Sequence, residues 1–486
     1  MNNLYVACEL GTLKGRVMLG ALQREGLTVS EAAQFQDTTT NDGGVVQWDV
    51  SRIYQEVIGA VRGIAAQEVA IRGISFHSPV SDALLFEGNG SLVTPTTRAS
   101  EGSATVELNK LMSKVPIEVF YEETGMQPSS ASMLCQLAAE SSRRLKKATY
   151  ALSLADGFNF LLSGIARVEE SQAHQSQLFN PITKAWSEPL LKAAGLPSKI
   201  LPQVVPAGTK LGEVRRDLAP QAGLEDAKVI TACSNSLASI LATLTMADRE
   251  SWAFLRPDES ALLGTRLEQP SINEVSREMK YSNLLGYQNS FGFYKRWTGL
   301  KLVEECHRTW SQQDRGMDAE VLTHLATSAT PFEALIDPAS PRFSSAPDMP
   351  SAIQAFCRET GQEAPRKPGP IVRCILESLA LHYKKALVEL EYIAGASFGR
   401  LYVIGNRSNL LLNHFLANAL QLPVVVLPDE TSAVGNVAMQ ALALGHITSM
   451  EQAGDIVRRA LKTQTIHPHA SAWTDAYDRF LALNPA

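Results

Sequence analysis

Four local patterns in this 486-residue chain carry side chains able to do chemistry. Near the N-terminus, Glu9-Leu10-Gly11-Thr12 is followed by Lys14, Gly15 and Arg16. The glycines allow a tight turn, and cations beside turn amides suit an anion. The same residues also make a plain hairpin whose charges face solvent, and both readings stand. His467-Pro468-His469 offers two imidazoles of the metal-ligating kind, although an exposed tail loop accounts for it better. Cys306 and His307 are neighbours in a helical pattern, so their side chains diverge and no thiol-imidazole dyad is expected. Asn89-Gly90-Ser91 has the glycosylation spacing but reads as a hairpin turn. Walker A, HExxH, GxSxG and strand-linked GxGxxG runs are all absent from the sequence.

The elements that must position such residues alternate between strand and helix. Residues 4–23 read strand, polar turn, strand, and 250–268 repeat that pattern. Residues 49–68 have helical spacing with Asp49 as N-cap. Residues 228–246 read buried strand, small-residue turn, helix, and 368–395 a long amphipathic helix between a proline and a glycine. Strand, turn and helix follow at 400–420, a short buried strand at 423–428 and a small-residue helix at 430–445. This alternation predicts an α/β fold of two related domains, 1–246 and 247–486, with a cleft between them and the boundary near 246–251.

Composition excludes several classes. Hydrophobic residues make up 45% and charged residues 19%, as in globular proteins. Lys plus Arg number 44 against 50 for Asp plus Glu, a formal charge of −6. That balance argues against a nucleic-acid or anionic-membrane partner. The six cysteines (8, 135, 233, 306, 357, 374) form no CxxC and are expected to be buried thiols. With no basic n-region at the start and no apolar run of about 18 residues, a cytoplasmic location is expected.

Seven segments together make the chain resemble the FGGY carbohydrate kinases, and within them the rhamnulokinase branch. They are WDVSRIYQEV (48–57), YEETGMQ (121–127), SQLFNPITKAW (176–186), TGLKLVEECHRTW (298–310), IDPASPRF (336–343), RCILESLALHYKKALVELE (373–391) and ETSAVGN (430–436). The resemblance implies two actin-like (ribonuclease H-like) domains, sugar bound by the first, and ATP with Mg2+ used to phosphorylate a ketose such as rhamnulose.

Departures from the family pattern cluster at the chemistry. The family's base is the aspartate of a Ser-His-Asp-Thr-Ala-Ser run, and here that position is Ser236, which reads instead as a cap on a helix over 237–246. A hydroxyl is a poor base, and losing general-base help typically costs ~10²–10⁴-fold in rate. The phosphate-cradling Ser-Ser-Gly-Thr-Trp becomes Arg256-Pro257-Asp258-Glu259-Ser260, which loses an N–H donor and adds two negative charges. At the first hairpin Glu9 replaces an aspartate and keeps the charge that holds a water-shelled magnesium, while Gly11, Thr12 and Arg16 fit the pattern. In the sugar loop His77 stands for an aspartate and Asp82 is retained. On the adenosine side, two of three glycines are gone around Gly405 and Asn409, and Arg296 replaces an asparagine.

The sequence therefore predicts a catalytically inactive FGGY homologue that binds a small sugar, polyol or partner protein. Two alternatives are an active ketose kinase with a relocated base, Asp82 or Glu9, and a structural or oligomerisation partner of an active paralogue. No resident metal site of the protein's own is expected.

Overall fold

The structure is a computed structural model and describes residues 3–483 except 25, 37, 43–44, 68–69, 99–100, 313–317, 406–409 and 470–471. The chain divides into two compact units built from interleaved segments. The first comprises Met1–Arg249, Arg266–Phe293 and Glu430–Leu461, and the second Glu250–Thr265, Tyr294–Asp429 and Lys462–Ala486.

The first unit is organised on a sheet of β1 (Asn3–Leu10), β2 (Lys14–Gln23), β3 (Gly26–Gln36), β4 (Ile71–His77), β5 (Thr209–Glu213) and β6 (Lys228–Thr231), ordered β5-β6-β4-β1-β2-β3. β1 runs parallel to β4, and β4 to β6, whereas β2, β3 and β5 are antiparallel to their neighbours. β1 is nearly all apolar because both faces of a parallel centre are covered. Helix α1 (Val50–Ala65) lays Ile53, Val57, Val61 and Ile64 on one buried stripe. Asp49 caps it as expected, accepting the Arg52 backbone N–H at 3.0 Å.

Helix α2 (Ser236–Ala247) differs from the expectation at its start. Its N-cap is Asn235, whose side-chain oxygen accepts from the Ala238 N–H at 3.1 Å, and Ser236 is the first helical residue. An asparagine directly before the serine takes the capping role, which leaves the serine side chain available for other contacts.

In the second unit, β7 (Ala253–Arg256) and β8 (Ser260–Leu267) form the second predicted hairpin. β7 runs parallel to β9 (Leu401–Val403) and β9 to β10 (Val424–Val426), with β11 (Gln464–Ile466) antiparallel beyond. Helix α3 (Pro368–Ala394) starts on a proline and ends at Gly395 with φ 62°, a left-handed cap that glycine adopts freely. The last long helix, α4 (Thr431–Ala443), is a member of the first unit: Gln440 donates to the Val6 carbonyl at 3.0 Å and Ser239 to the Ser432 carbonyl at 2.8 Å. Gly435 is obligatory at this crossing, since a Cβ there would lie 2.0 Å from Thr243 Oγ1.

All six cysteines are buried and unpaired. Among the described residues, no helix is long and apolar enough to cross a membrane.

Candidate functional site

Parallel strands carry chemistry at their C-terminal ends, and three such ends converge in the first unit. Glu9 near the end of β1 is the register partner of His77 at the end of β4. The segment after β6 lies alongside the segment after β4: Ser78 donates its N–H to Ser234 at 2.8 Å, and Ser236 returns an N–H to Ser78 at 3.0 Å. Gln172 reinforces both strands of this ladder, donating to the carbonyls of Ser78, Val80 and Ser234 at 3.2, 3.0 and 3.0 Å.

This framework brings His77 Nδ1 to 3.1 Å from Ser236 Oγ. His77 is fully buried, and its Nε2 has no hydrogen-bond partner among the described residues. Burial pushes the imidazole below its ordinary pKa, and Arg16 pushes the same way against the pull of Glu9, so the ring is neutral near pH 7. Glu9 and Arg16 pair directly: Arg16 Nε donates to Glu9 Oε2 at 2.9 Å, with Nη2 on the same oxygen. Burial opposes the Glu9 charge, while the bonded Arg16 guanidinium and the Lys14 ammonium favour it, and the carboxyl lies below the usual range. Gly11 and Thr12 form the turn above, where Gly11 N–H meets the Lys14 carbonyl at 3.0 Å. Thr38 Oγ1 braces that turn at 3.0 Å from the Gly11 carbonyl and 2.9 Å from that of Thr12.

Asp82 is oriented elsewhere. Its Oδ2 accepts from Trp48 Nε1 at 2.9 Å and Arg98 Nε at 3.1 Å, and Arg98 also lies over the Trp48 ring. The buried carboxylate thus joins the 48–49, 82 and 96–98 segments.

Sequence reasoning missed the clasp behind Ser236. Asp156 and Glu169 are each about 1% exposed. Asp156 Oδ1 accepts from Ser234 Oγ at 2.8 Å, Glu169 Oε2 from the Ser234 N–H at 2.9 Å, and Ser171 Oγ from the Asn235 N–H at 3.1 Å. Burial raises Asp156 to about 7 and Glu169 to about 8, the latter also through Asp156. A Ser-x-x-Asp spacing at 153–156 was the available signal, since Ser153 and Asp156 share a helix start.

In the second unit, Asp258 and Glu259 occupy the tip between β7 and β8. Asp258 pairs with Arg256 at 2.5 Å, and its carbonyl accepts from Leu300 N–H at 2.8 Å. Burial, then the carboxylates of Glu259 and Asp258, raise Glu304 above its ordinary range, so three acids share this corner. Gly299 fits against the tip because a Cβ there would stand 1.9 Å from the Asp258 carbonyl. Arg296 is exposed, Gly405 has φ 100°, and Asn409 lies outside the described residues. The Cys306-His307 pair sits in the helix Lys301–Ser311, and His467 and His469 are exposed.

The profile of the FGGY carbohydrate kinase N-terminal domain matches residues 4–242, and that of the FGGY C-terminal domain matches 271–444. The chain belongs to the FGGY family. Its FGGY relatives include a rhamnulokinase of Bacteroides thetaiotaomicron, 30% identical with 99% of both chains covered. Another, from Enterococcus faecalis, is 28% identical over 98% of this chain and 97% of its own. Among solved structures, xylulose kinase from Rhodospirillum rubrum superposes with a TM-score of 0.81 at 17% identity, covering 99% and 98% of the two chains. Plasmodium falciparum glycerol kinase with ADP gives 0.79 at 13% identity, covering 99% and 97%. These FGGY neighbours share the two-domain, actin-like α/β fold.

Proposed function

We propose that this chain is a rhamnulokinase-like FGGY protein that binds a sugar or polyol and has lost phosphotransfer. The observation that carries this reading is Ser236, at the family's base position: a buried hydroxyl held against a neutral imidazole, where a carboxylate is needed to orient and deprotonate the sugar. Neither expected substitute base is available, because Glu9 is paired with Arg16 and Asp82 with Trp48 and Arg98.

ATP and Mg2+ are the reactants expected from the family. The residues of the 256–260 turn do not fit a polyphosphate, since Asp258, Glu259 and Glu304 gather there and Pro257 offers no N–H. No transfer step is therefore derived for this chain. A coupled ADP-release assay with L-rhamnulose and Mg-ATP should give background turnover, and substantial turnover by the wild type would overturn the proposal.

One observation favours a second reading, an active kinase. His77 is neutral and its Nδ1 lies 3.1 Å from Ser236 Oγ, within reach of that hydroxyl's proton. In that case His77→Gln would abolish turnover that the wild type displays. A purely structural role, the third expectation, requires no response to any sugar or polyol.

A further inference from the structure

The turn that carries Ser236 is held from behind by two acids. Asp156 lies on the helix Leu154–Ser163, and Glu169 ends the short strand Val168–Glu169. Both donors of Ser234 end on them, the hydroxyl on Asp156 Oδ1 at 2.8 Å and the N–H on Glu169 Oε2 at 2.9 Å. The N–H of Asn235 meets Ser171 Oγ at 3.1 Å, and Ser171 in turn donates to Glu169 Oε2. The acids are also tied to each other, because Asp156 Oδ2 accepts the Glu169 N–H at 3.3 Å beside the Ser153 hydroxyl at 2.7 Å. One residue beyond this anchorage, Ser236 meets His77 through its hydroxyl and Ser78 through its N–H.

The surroundings of the two acids contain no counter-charge. Among the described residues, no lysine, arginine or histidine pairs with Asp156 or Glu169. The other titratable groups beside them are Glu170, the Cys233 thiol and, next to that thiol, Tyr287. Burial keeps Cys233 and Tyr287 protonated, so none of the three supplies a positive charge.

Two buried carboxylates without a cation lose their hydration and repel each other, so the pair keeps at least one proton while it stays buried. The contacts accommodate that proton. Each acid meets a hydroxyl, Ser234 or Ser171, and a hydroxyl accepts a hydrogen bond as well as it gives one. Burial accordingly raises the acids to about 7 and about 8. When the proton passes to bulk water, the charge left behind needs hydration, and water reaches it only if the turn moves off.

We propose that Asp156 and Glu169 are positioning residues whose protonation latches the Ser234–Asn235 turn and thereby sets Ser236 against His77. Ionisation unlatches the turn, so the geometry of the site depends on pH through two groups that lie behind it. The inference concerns the scaffold of the site and holds whether or not phosphotransfer has been lost.

NMR of the full chain tests it, following the ring resonances of His77 assigned by comparison with His77→Gln. The His77 pKa lies below its ordinary value, so from about pH 7 to 8.5 the ring has no titration of its own. In wild type its resonances should nevertheless move across this range. The amides of Ser234 and Asn235 should lose at least about tenfold of their protection from exchange between pH 6 and 8. The double variant Asp156→Asn, Glu169→Gln keeps both side-chain shapes without the titration, and should hold the His77 ring and both amides constant. Glu169→Gln alone should leave a single step, which keeps the test valid if the double variant folds poorly. A His77 signal that stays fixed in wild type, or that moves alike in the double variant, would overturn the proposal. Amide protection that falls as steeply in the double variant as in wild type would overturn it as well.

Discussion

The imidazole of His77 and the hydroxyl of Ser236 stand 159 residues apart in the chain and 3.1 Å apart in space. Their contact is set by the ladder between the segments that follow β4 and β6, so the pair belongs to the scaffold as much as to the site. A carboxylate introduced at 236 would meet a buried imidazole before it met any sugar.

Ser236→Asp should therefore raise the pKa of His77, because a buried anion stabilises the imidazolium. NMR titration of the histidine resonances would follow the rise, and ADP release with L-rhamnulose should stay at background. Residues that act as a unit are not repaired singly. Recovery of turnover by this one substitution would mean that the nucleotide and sugar contacts are intact.

Mg-ATP should not raise the melting temperature. A nucleotide present at ten times its Kd would add about 1.4 kcal/mol to folding, an easily measured shift. An ATP-dependent rise that AMP fails to reproduce would mean that the acidic corner of Asp258, Glu259 and Glu304 accepts phosphate after all.

Stability should fall as pH rises from about 6.5 to 8. Asp156 and Glu169 have folded pKa values raised to about 7 and 8 from ordinary values of 3.8 and 4.5. The folded state then binds more protons than the unfolded chain, and that stabilisation disappears as pH passes the folded values. Buried neutral His174 and His382, both lowered to about 4, act in the opposite sense below about 6.5, where the unfolded chain takes up protons first. Melting curves across pH would reveal the alkaline decline. The double variant Asp156→Asn, Glu169→Gln should flatten it, and an unchanged slope would sink the assignment.

Gly435→Ala should destabilise the fold by about 1–3 kcal/mol, the range for inserting a methyl into a packed core. The added Cβ would crowd Thr243 Oγ1 and the Ser239 carbonyl, and backbone cannot step aside as a long side chain can. Urea unfolding gives the number. A loss below about 0.5 kcal/mol would indicate that α2 and α4 separate more easily than their packing implies.

Much of this fold is legible in sequence because its signals are local. Asp49 before a 3.6-period stripe, Gly395 after one, and paired apolar runs around polar turns each dictate their own element. The seven motif segments disclose the family in the same way. What the sequence left hidden depends on distant partners. Asn235 displaces Ser236 as cap, since adjacent capping residues compete and propensity does not rank them. Glu9, read as an anion-site or metal-side carboxylate, meets Arg16 across the β1–β2 hairpin, a pairing that its sequence neighbourhood does not announce. Asp82 resembles a ligand-binding loop residue, yet in space it receives the indole of Trp48, 34 positions earlier. The Asp156–Glu169 clasp is announced only by the Ser-x-x-Asp spacing at 153–156, which marks a helix start and says nothing of Glu169 or Ser234.

The hydrogen bond from Gln440 to Val6 spans 434 residues, joining the first strand to a helix near the end of the chain. On a ribosome adding about 5–20 residues per second, β1 would leave the exit tunnel roughly 20–90 s before α4 exists to cover it. During that interval one face of an apolar central strand has no permanent neighbour. The first unit is thus complete only once Glu430–Leu461 has been made, and a nascent chain halted anywhere before residue 430 would display this face to chaperones rather than a finished first unit.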